Sequence, residues 1–330
     1  MTRVRVRHTP GNASQPPGAS VDFDITFRGL VLFGLEIRFY SLAILAGLLA
    51  GIVLAQREAK RLGENPDHVL NIAVLGVVFG LIGARLYHVI DLWSFYSENP
   101  GQIFVLRAGG IGIFGAIAGA AFALVLYVWW VNRRAHAGRG QRIRALRWFD
   151  IGAPAFLLGQ AVGRWGNFFN KELYGPETSL PWGIPVGPEH HFPWDSGAAA
   201  YFHPLFLYES LLSFLGVIAL LWVGRRFGNS LRQGDLLFLY FIWYALERSA
   251  LEFMRIDNWK VGDVPVAHLV SAVMIVIALL ALFLWRRPPY LASGREDARR
   301  ADTRPVEQPA ARSRSAERRA RRRTQGSDSE

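Results

Sequence analysis

The chain has 330 residues, a formal net charge of +11 and no cysteine. That length could make two soluble domains, but 51% of the residues are hydrophobic and several long stretches carry no charge at all, which argues for an integral membrane protein. The missing cysteine excludes disulfides, catalysis by a thiol of this chain and cysteine-based metal sites.

Arginine far outnumbers lysine, which occurs only at Lys60, Lys171 and Lys260. We read this as base-composition bias. Segments 39–56, 108–132 and 264–285 are free of Asp, Glu, Lys and Arg. Each is long enough to cross a hydrocarbon core of about 30 Å, which takes roughly 20 helical residues. Soluble core helices rarely run so far without polar punctuation.

In chain order, residues 1–24 are polar and are expected to be disordered, with no N-terminal signal peptide. Residues 29–36 are apolar but too short to span, and suit an interfacial or re-entrant segment. Spans are then predicted over 40–55, 69–90, 109–131, 149–162 with Pro154 inside, 204–223, 236–252 and 266–285. The expected fold is therefore all-α, a polytopic transmembrane helical bundle of about seven spans within 25–288. A Pro- and Gly-rich loop covers 163–203, and an Arg-rich tail covers 289–330.

The loops after the odd-numbered spans (56–68, 132–148, 224–234) hold 3, 6 and 3 Lys and Arg residues. Those after the even-numbered spans (91–108, 163–203, 253–264) hold 1, 2 and 2, and the segment after the last span holds 13 arginines. Positive charge marks the cytoplasmic side, so the N-terminus is expected outside and the C-terminus in the cytoplasm. The basic N-terminal segment, with Arg3, Arg5, Arg7, Arg28 and Arg38, points the other way and is outweighed by the loops and tail. The tail lacks aromatic residues that would stack on bases, so no nucleic-acid partner is expected; membrane lipids are.

The pairs Gly47/Gly51, Gly76/Gly80 and Gly115/Gly119 have the spacing that lets membrane helices approach closely. Gly110, Gly112 and Gly115 fit a dinucleotide-binding pattern. They open an apolar span instead of following a strand, so that reading is rejected.

Charges at membrane depth cost roughly 2.5 kcal/mol or more and mark candidate sites. The candidates are Arg85, His88, Asp150, Glu209, Glu247, Arg248 and Glu252, with Arg164 just beyond the fourth span. Tyr244, Arg248, Glu252 and Arg255 fall on one helical face, either as a structural ion-pair stripe or as a functional site. Segment 163–175, GRWGNFFNKELYG, gathers Arg164, Asn167, Asn170 and Glu172 among glycines. Glycine permits close approach, and arginine suits a lipid phosphate at the outer headgroup level. Trp165, Phe168 and Phe169 read as interfacial anchors. His88 and His268 read as packed helix residues, and His203 as a cap for the fifth span. His190 and His191 have no assigned role, and no metal site is expected.

Together these segments resemble the bacterial prolipoprotein diacylglyceryl transferase family. The match rests on GRWGNFFNKELYG, supported in order by Arg38 and Tyr40, GARLYH at 83–88, GGIGIFGA at 109–116, Asp150, HPLFLYE at 203–209 and YALERSALEFMR at 244–255. The resemblance implies transfer of the diacylglyceryl group of phosphatidylglycerol to the lipobox cysteine of a prolipoprotein, in the bacterial inner (cytoplasmic) membrane and without a cofactor. It also implies catalytic roles for Arg248, Arg164, Glu252 and Tyr40. Phosphatidylglycerol binding would fall to Arg164, Asn167, Asn170, Glu172, Gly175, Tyr244 and Arg85. Where some relatives carry a histidine proposed as base, this chain has Phe114. Two alternatives remain at this point: a transporter for an anionic lipid or metabolite, and a scaffold with a basic tail.

Overall fold

A computed structural model describes residues 23–25, 27, 29–32, 35–105, 109–110, 112–138, 140–187, 201–256, 258–285 and 287–291. The polar N-terminal segment, His190, His191 and the Arg-rich tail from 292 onward lie outside the described residues.

Most of the described chain is helical. The helices are α1 (Phe39–Arg61), α2 (Asp67–Asp91), the short α3 (Trp93–Glu98), α4 (Ile113–His136), α5 (Ala145–Gly163), the short α6 (Trp165–Asn170), α7 (Leu205–Arg226), α8 (Asp235–Glu252) and α9 (Val266–Leu284). Helices α1, α2, α4, α7 and α9 are long and apolar enough to cross a membrane by length and composition alone. Their outward faces are unlike those of a soluble protein, with Val74 63% exposed and Phe283 79% exposed. Such continuous apolar surface requires a hydrocarbon solvent. The chain is a polytopic helical membrane protein.

Helices α5 and α8 are more polar. They bury Arg147 and Asp150, and Asp235, Glu247 and Glu252, respectively. Helix α5 packs on both α1 and α7, and α8 on α5, α7 and α9. The helices with ionic groups thus sit among the others, where protein partners replace water.

Glycine decides the closest approaches. A methyl group at Gly47 would come within 2.6 Å of the Gly159 carbonyl oxygen, and one at Gly51 within 2.9 Å of that of Ala155, so α1 and α5 touch along their backbones. Gly83, Gly115 and Gly119 play the same part between α2 and α4. Of the predicted pairs, Gly76 and Gly80 pack more loosely, and Gly83 is the contact that the spacing rule missed.

The fold is not purely helical. Strands β1 (Phe23–Ile25), β2 (Gly29–Leu32) and β3 (Leu35–Arg38) form an antiparallel sheet leading into α1. The described residues of the apolar segment expected to be interfacial or re-entrant, 29–32 and 35–36, are therefore strand residues, with Leu30 opposite Ile37 and Gly29 opposite Arg38. Pairing satisfies the backbone groups that so short an apolar stretch cannot satisfy as a helix. Two further antiparallel pairs, β4 (Ile184–Pro185) with β5 (Tyr201–Phe202) and β6 (Lys260–Val261) with β7 (Val264–Pro265), lie in the loops before α7 and α9.

Ionic contacts tie one end of the bundle together. Glu58 near the end of α1 meets Arg61 at 2.7 Å and Arg225 at the end of α7 at 2.6 Å. Arg147, 2% exposed at the start of α5, lies 2.6 Å from Glu64 and donates to the carbonyls of Leu62 and Tyr290. Asp150 is fully buried and accepts from the backbone N–H groups of Gly234 (2.6 Å) and Leu237 (3.0 Å). It thereby caps α8 from another helix, where an N-terminus favours a carboxylate. Arg287 bridges to Asp235 at 2.8 Å. This end holds the C-terminal ends of α1 and α7 and the N-terminal ends of α5 and α8. The helices therefore alternate in direction, and the opposite end gathers Tyr40, Arg164, Glu209, Arg248 and Glu252.

Candidate active site

The site is built where α5 stops. Arg164 is both the last cap of α5 and the first of α6, in ordinary helical geometry. The chain then turns through Lys171 (φ 57°) and Leu173 (φ 58°), both in the left-handed region that non-glycine residues seldom adopt. Such outliers persist where surrounding contacts enforce them. Here the Glu172 N–H donates to the Asn167 carbonyl at 3.0 Å, and the Phe206 N–H to that of Leu173 at 3.1 Å. The Lys171 ammonium lies over the rings of Phe27 and Phe168, at 4.4 and 5.3 Å.

Two arginine–carboxylate pairs form the centre. Arg164 donates from Nη2 to Glu209 of α7, and Arg248 donates from Nη1 to Glu252 one turn further along α8. The carboxylates are buried, whereas the Arg164 and Arg248 side chains are 30% and 25% exposed. Among the described residues each of these guanidiniums has a single protein acceptor, and the Arg164 Nε is buried without one. An arginine has five N–H donors, so both keep most of theirs for another acceptor.

The same group extends through electrostatic contact. Tyr244 interacts with Glu209, Arg164, Arg248 and Glu247. Glu247 is held by the Ser213 hydroxyl at 2.8 Å. Just past α8, burial, and next the nearby Arg248, pull the Arg255 guanidinium below its usual range. The predicted face of Tyr244, Arg248, Glu252 and Arg255 is thus assembled. It is joined by Glu209, already a candidate as a charge at membrane depth, which the chain supplies from α7; what the sequence did not show is its pairing with Arg164.

The other predicted residues line up around this centre to different degrees. Asn167 and Asn170 both donate to Glu172, each at 3.3 Å, and orient its carboxylate. Gly175 donates to the His203 carbonyl at 2.8 Å. A methyl there would come within 3.1 Å of both His203 Cβ and the Met254 carbonyl oxygen, so Gly175 lets the loop pass between the start of α7 and the end of α8. Gly166 lies against Tyr40, whose ring a methyl at 166 would meet at 2.9 Å. This seats Tyr40, at the start of α1, on α6. His203 contacts the Tyr208 hydroxyl at 3.0 Å and steadies the start of α7.

Arg85 makes a different set of contacts. All five of its N–H groups are used on backbone carbonyls: Ile103 (2.8 Å), Gly109 (2.9 Å), Gly110 (2.8 Å), Gln102 (2.5 Å) and Val105 (3.1 Å). No donor remains for a phosphate. Arg85 instead folds the connection from α3 to α4 over the end of α2, with its guanidinium 5.2 Å from the Tyr96 ring centroid. His88 packs on Tyr96 and His268 on Phe253, as expected for packed helix residues. Phe114 is exposed and sits against Tyr87.

Comparison with known proteins bears on this geometry. The family model described as prolipoprotein diacylglyceryl transferase matches residues 29–285. A protein of Chloroflexus aggregans named phosphatidylglycerol–prolipoprotein diacylglyceryl transferase is 42% identical over 281 residues, covering 78% of this chain and 89% of its own. Proteins of the same name from Gloeobacter violaceus and Bacillus mycoides are 41% and 37% identical, covering 77% and 76% of this chain and 90% and 88% of theirs. The matched stretch takes in every residue of the two arginine–carboxylate pairs, and the chain belongs to the prolipoprotein diacylglyceryl transferase family.

Proposed function

We propose that this protein transfers the diacylglyceryl group of phosphatidylglycerol to the thiol of the lipobox cysteine in a prolipoprotein, the first step of bacterial lipoprotein modification. The observation that carries the mechanism is the pair of arginines, Arg164 and Arg248, each with unspent donors and each anchored by one buried carboxylate.

In the reaction a carbon–sulfur bond forms as the carbon–oxygen bond to phosphate breaks, and glycerol phosphate leaves. The barrier lies in charge accumulating on that leaving phosphate. Preorganised arginines stabilise such charge, typically by factors of about 10² to 10³ per donor group. They also favour the thiolate, because cationic surroundings lower a thiol pKa from about 8.5. Glu209 and Glu252 orient the arginines before substrate arrives. As the phosphate takes up the guanidinium donors, these carboxylates become acceptors for the thiol proton. Tyr40, Tyr244, Asn167, Asn170, Glu172 and Gly175 shape the headgroup site around them. Arg85 holds the neighbouring loop and does not bind phosphate.

In this reading the long helices α1, α2, α4, α5, α7, α8 and α9 are the spans, the N-terminus lies outside, and the Arg-rich tail is cytoplasmic. The site then faces the outer leaflet of the bacterial inner membrane, where phosphatidylglycerol meets an exported cysteine. The placement of both pairs at one end of the bundle supports an enzyme over a transporter, whose site would sit near the midplane. Incubation with phosphatidylglycerol and a lipobox peptide is the test. A peptide mass gain equal to one diacylglyceryl group supports the reading. Unchanged peptide with lipid moved between leaflets supports transport instead.

A further inference from the structure

At the end of the bundle away from Arg164 and Arg248, many arginines are neutralised. Arg61 and Arg225 share Glu58, Arg147 meets Glu64 and Arg287 meets Asp235. The last turn of α4 and the loop that follows it depart from this pattern. Arg133, Arg134 and Arg142 are exposed, and among the described residues none has a carboxylate partner.

Two features make this a built surface and not a run of solvated charge. The guanidinium of Arg133 lies 5.4 Å from the ring centroid of Trp129, and that of Arg134 lies 4.6 Å from Trp130, each ring four residues back on the helix. Both indoles are exposed on the apolar flank, at 54% and 45%. Asn132 also clamps the loop shut through both amide atoms, donating to the Ile143 carbonyl at 2.9 Å and accepting from its N–H at 2.8 Å. The clamp returns Arg142 to the last turn of α4, where it donates to His136 Nδ1 at 2.7 Å.

We propose that Trp129, Trp130, Arg133, Arg134 and Arg142 form a docking site for an anionic phospholipid, separate from the substrate site. The five helical rises from Trp129 to Arg134 span about 7.5 Å. One polar headgroup layer is about 5–7 Å deep. The indoles then lie against acyl chains while the guanidiniums reach the phosphate, an arrangement for which both side chains are suited. Stacking on an indole preorganises each guanidinium for bidentate contact, and the absent carboxylates leave the lipid as the counter-ion.

The test is native mass spectrometry of the full chain in micelles doped with equal phosphatidylcholine and phosphatidylserine. Phosphatidylserine is anionic without being the diacylglyceryl donor named for the relatives. The Arg164→Gln/Arg248→Gln pair is measured alongside to remove binding at the substrate site. The unaltered protein and that pair should both retain phosphatidylserine preferentially. Replacing Arg133, Arg134 and Arg142 together by Gln should weaken retention by about tenfold or more. Trp129→Leu/Trp130→Leu, which keeps every charge, should give a smaller loss. Equal retention by the triple variant would overturn the proposal. So would an equal loss from Arg57→Gln/Lys60→Gln, which removes charge at the same end without touching the loop.

Discussion

The two ends of the bundle use the same residue types to opposite purposes. At one end Arg147 is 2% exposed, donates to two backbone carbonyls and forms an ion pair with Glu64, and Arg287 donates to the carbonyls of Gln233, Ala281 and Trp285 and forms an ion pair with Asp235. At the other, Arg164 and Arg248 each spend one donor and stay partly exposed. Burial of charge therefore does not identify a site in this protein. In the proposed function the number of donors left unspent marks the site, and Arg85, which sits at the same end with none to spare, lies outside it.

The sharpest way to test the contrast is to neutralise one arginine from each class. Arg248→Gln or Arg164→Gln should lower transfer to a lipobox peptide by about 10² to 10³ while leaving thermal unfolding nearly unchanged. Arg147→Gln should do the reverse. It strands Glu64 and loses the carbonyl contacts, and breaking a buried pair costs about 3–5 kcal/mol. A lowered melting temperature should accompany unchanged activity per folded molecule. If Arg147→Gln abolished transfer at full stability, the division between the two ends would fail.

Arg85→Gln should behave like Arg147→Gln and not like Arg248→Gln. It takes the donors from five backbone carbonyls of the connection to α4, so protease sensitivity there should rise first. The smallest expected effect is at Asp150. Asp150→Asn retains an acceptor for one of the two backbone N–H groups and should cost about 1 kcal/mol, read as a shift in the denaturation midpoint.

Much of this was legible in the sequence, for identifiable reasons. Uncharged stretches mark the spans because lipid offers no partner for charge. The α8 stripe is legible because four-residue spacing aligns Tyr244, Arg248 and Glu252 whatever surrounds them. The pairing of Arg164 with Glu209 was not, since the two are 45 residues apart and only packing of α5 on α7 joins them. Asp150 and Arg85 were hidden for the same reason. As buried charges both resemble ligand-binding groups, and only the acceptors and donors around them reveal a helix cap and a loop anchor. The strand pair β2–β3 was missed because a short apolar run has no period that separates a strand from an interfacial segment.

The central claim is that Arg164 and Arg248 share one lipid phosphate. A structure of the protein with phosphatidylglycerol bound tests it directly. A headgroup phosphate should lie within hydrogen-bonding distance of both guanidiniums, with Glu209 or Glu252 drawn away from its arginine. A phosphatidylglycerol bound at this end of the bundle with its phosphate on neither arginine, both ion pairs intact, would contradict it.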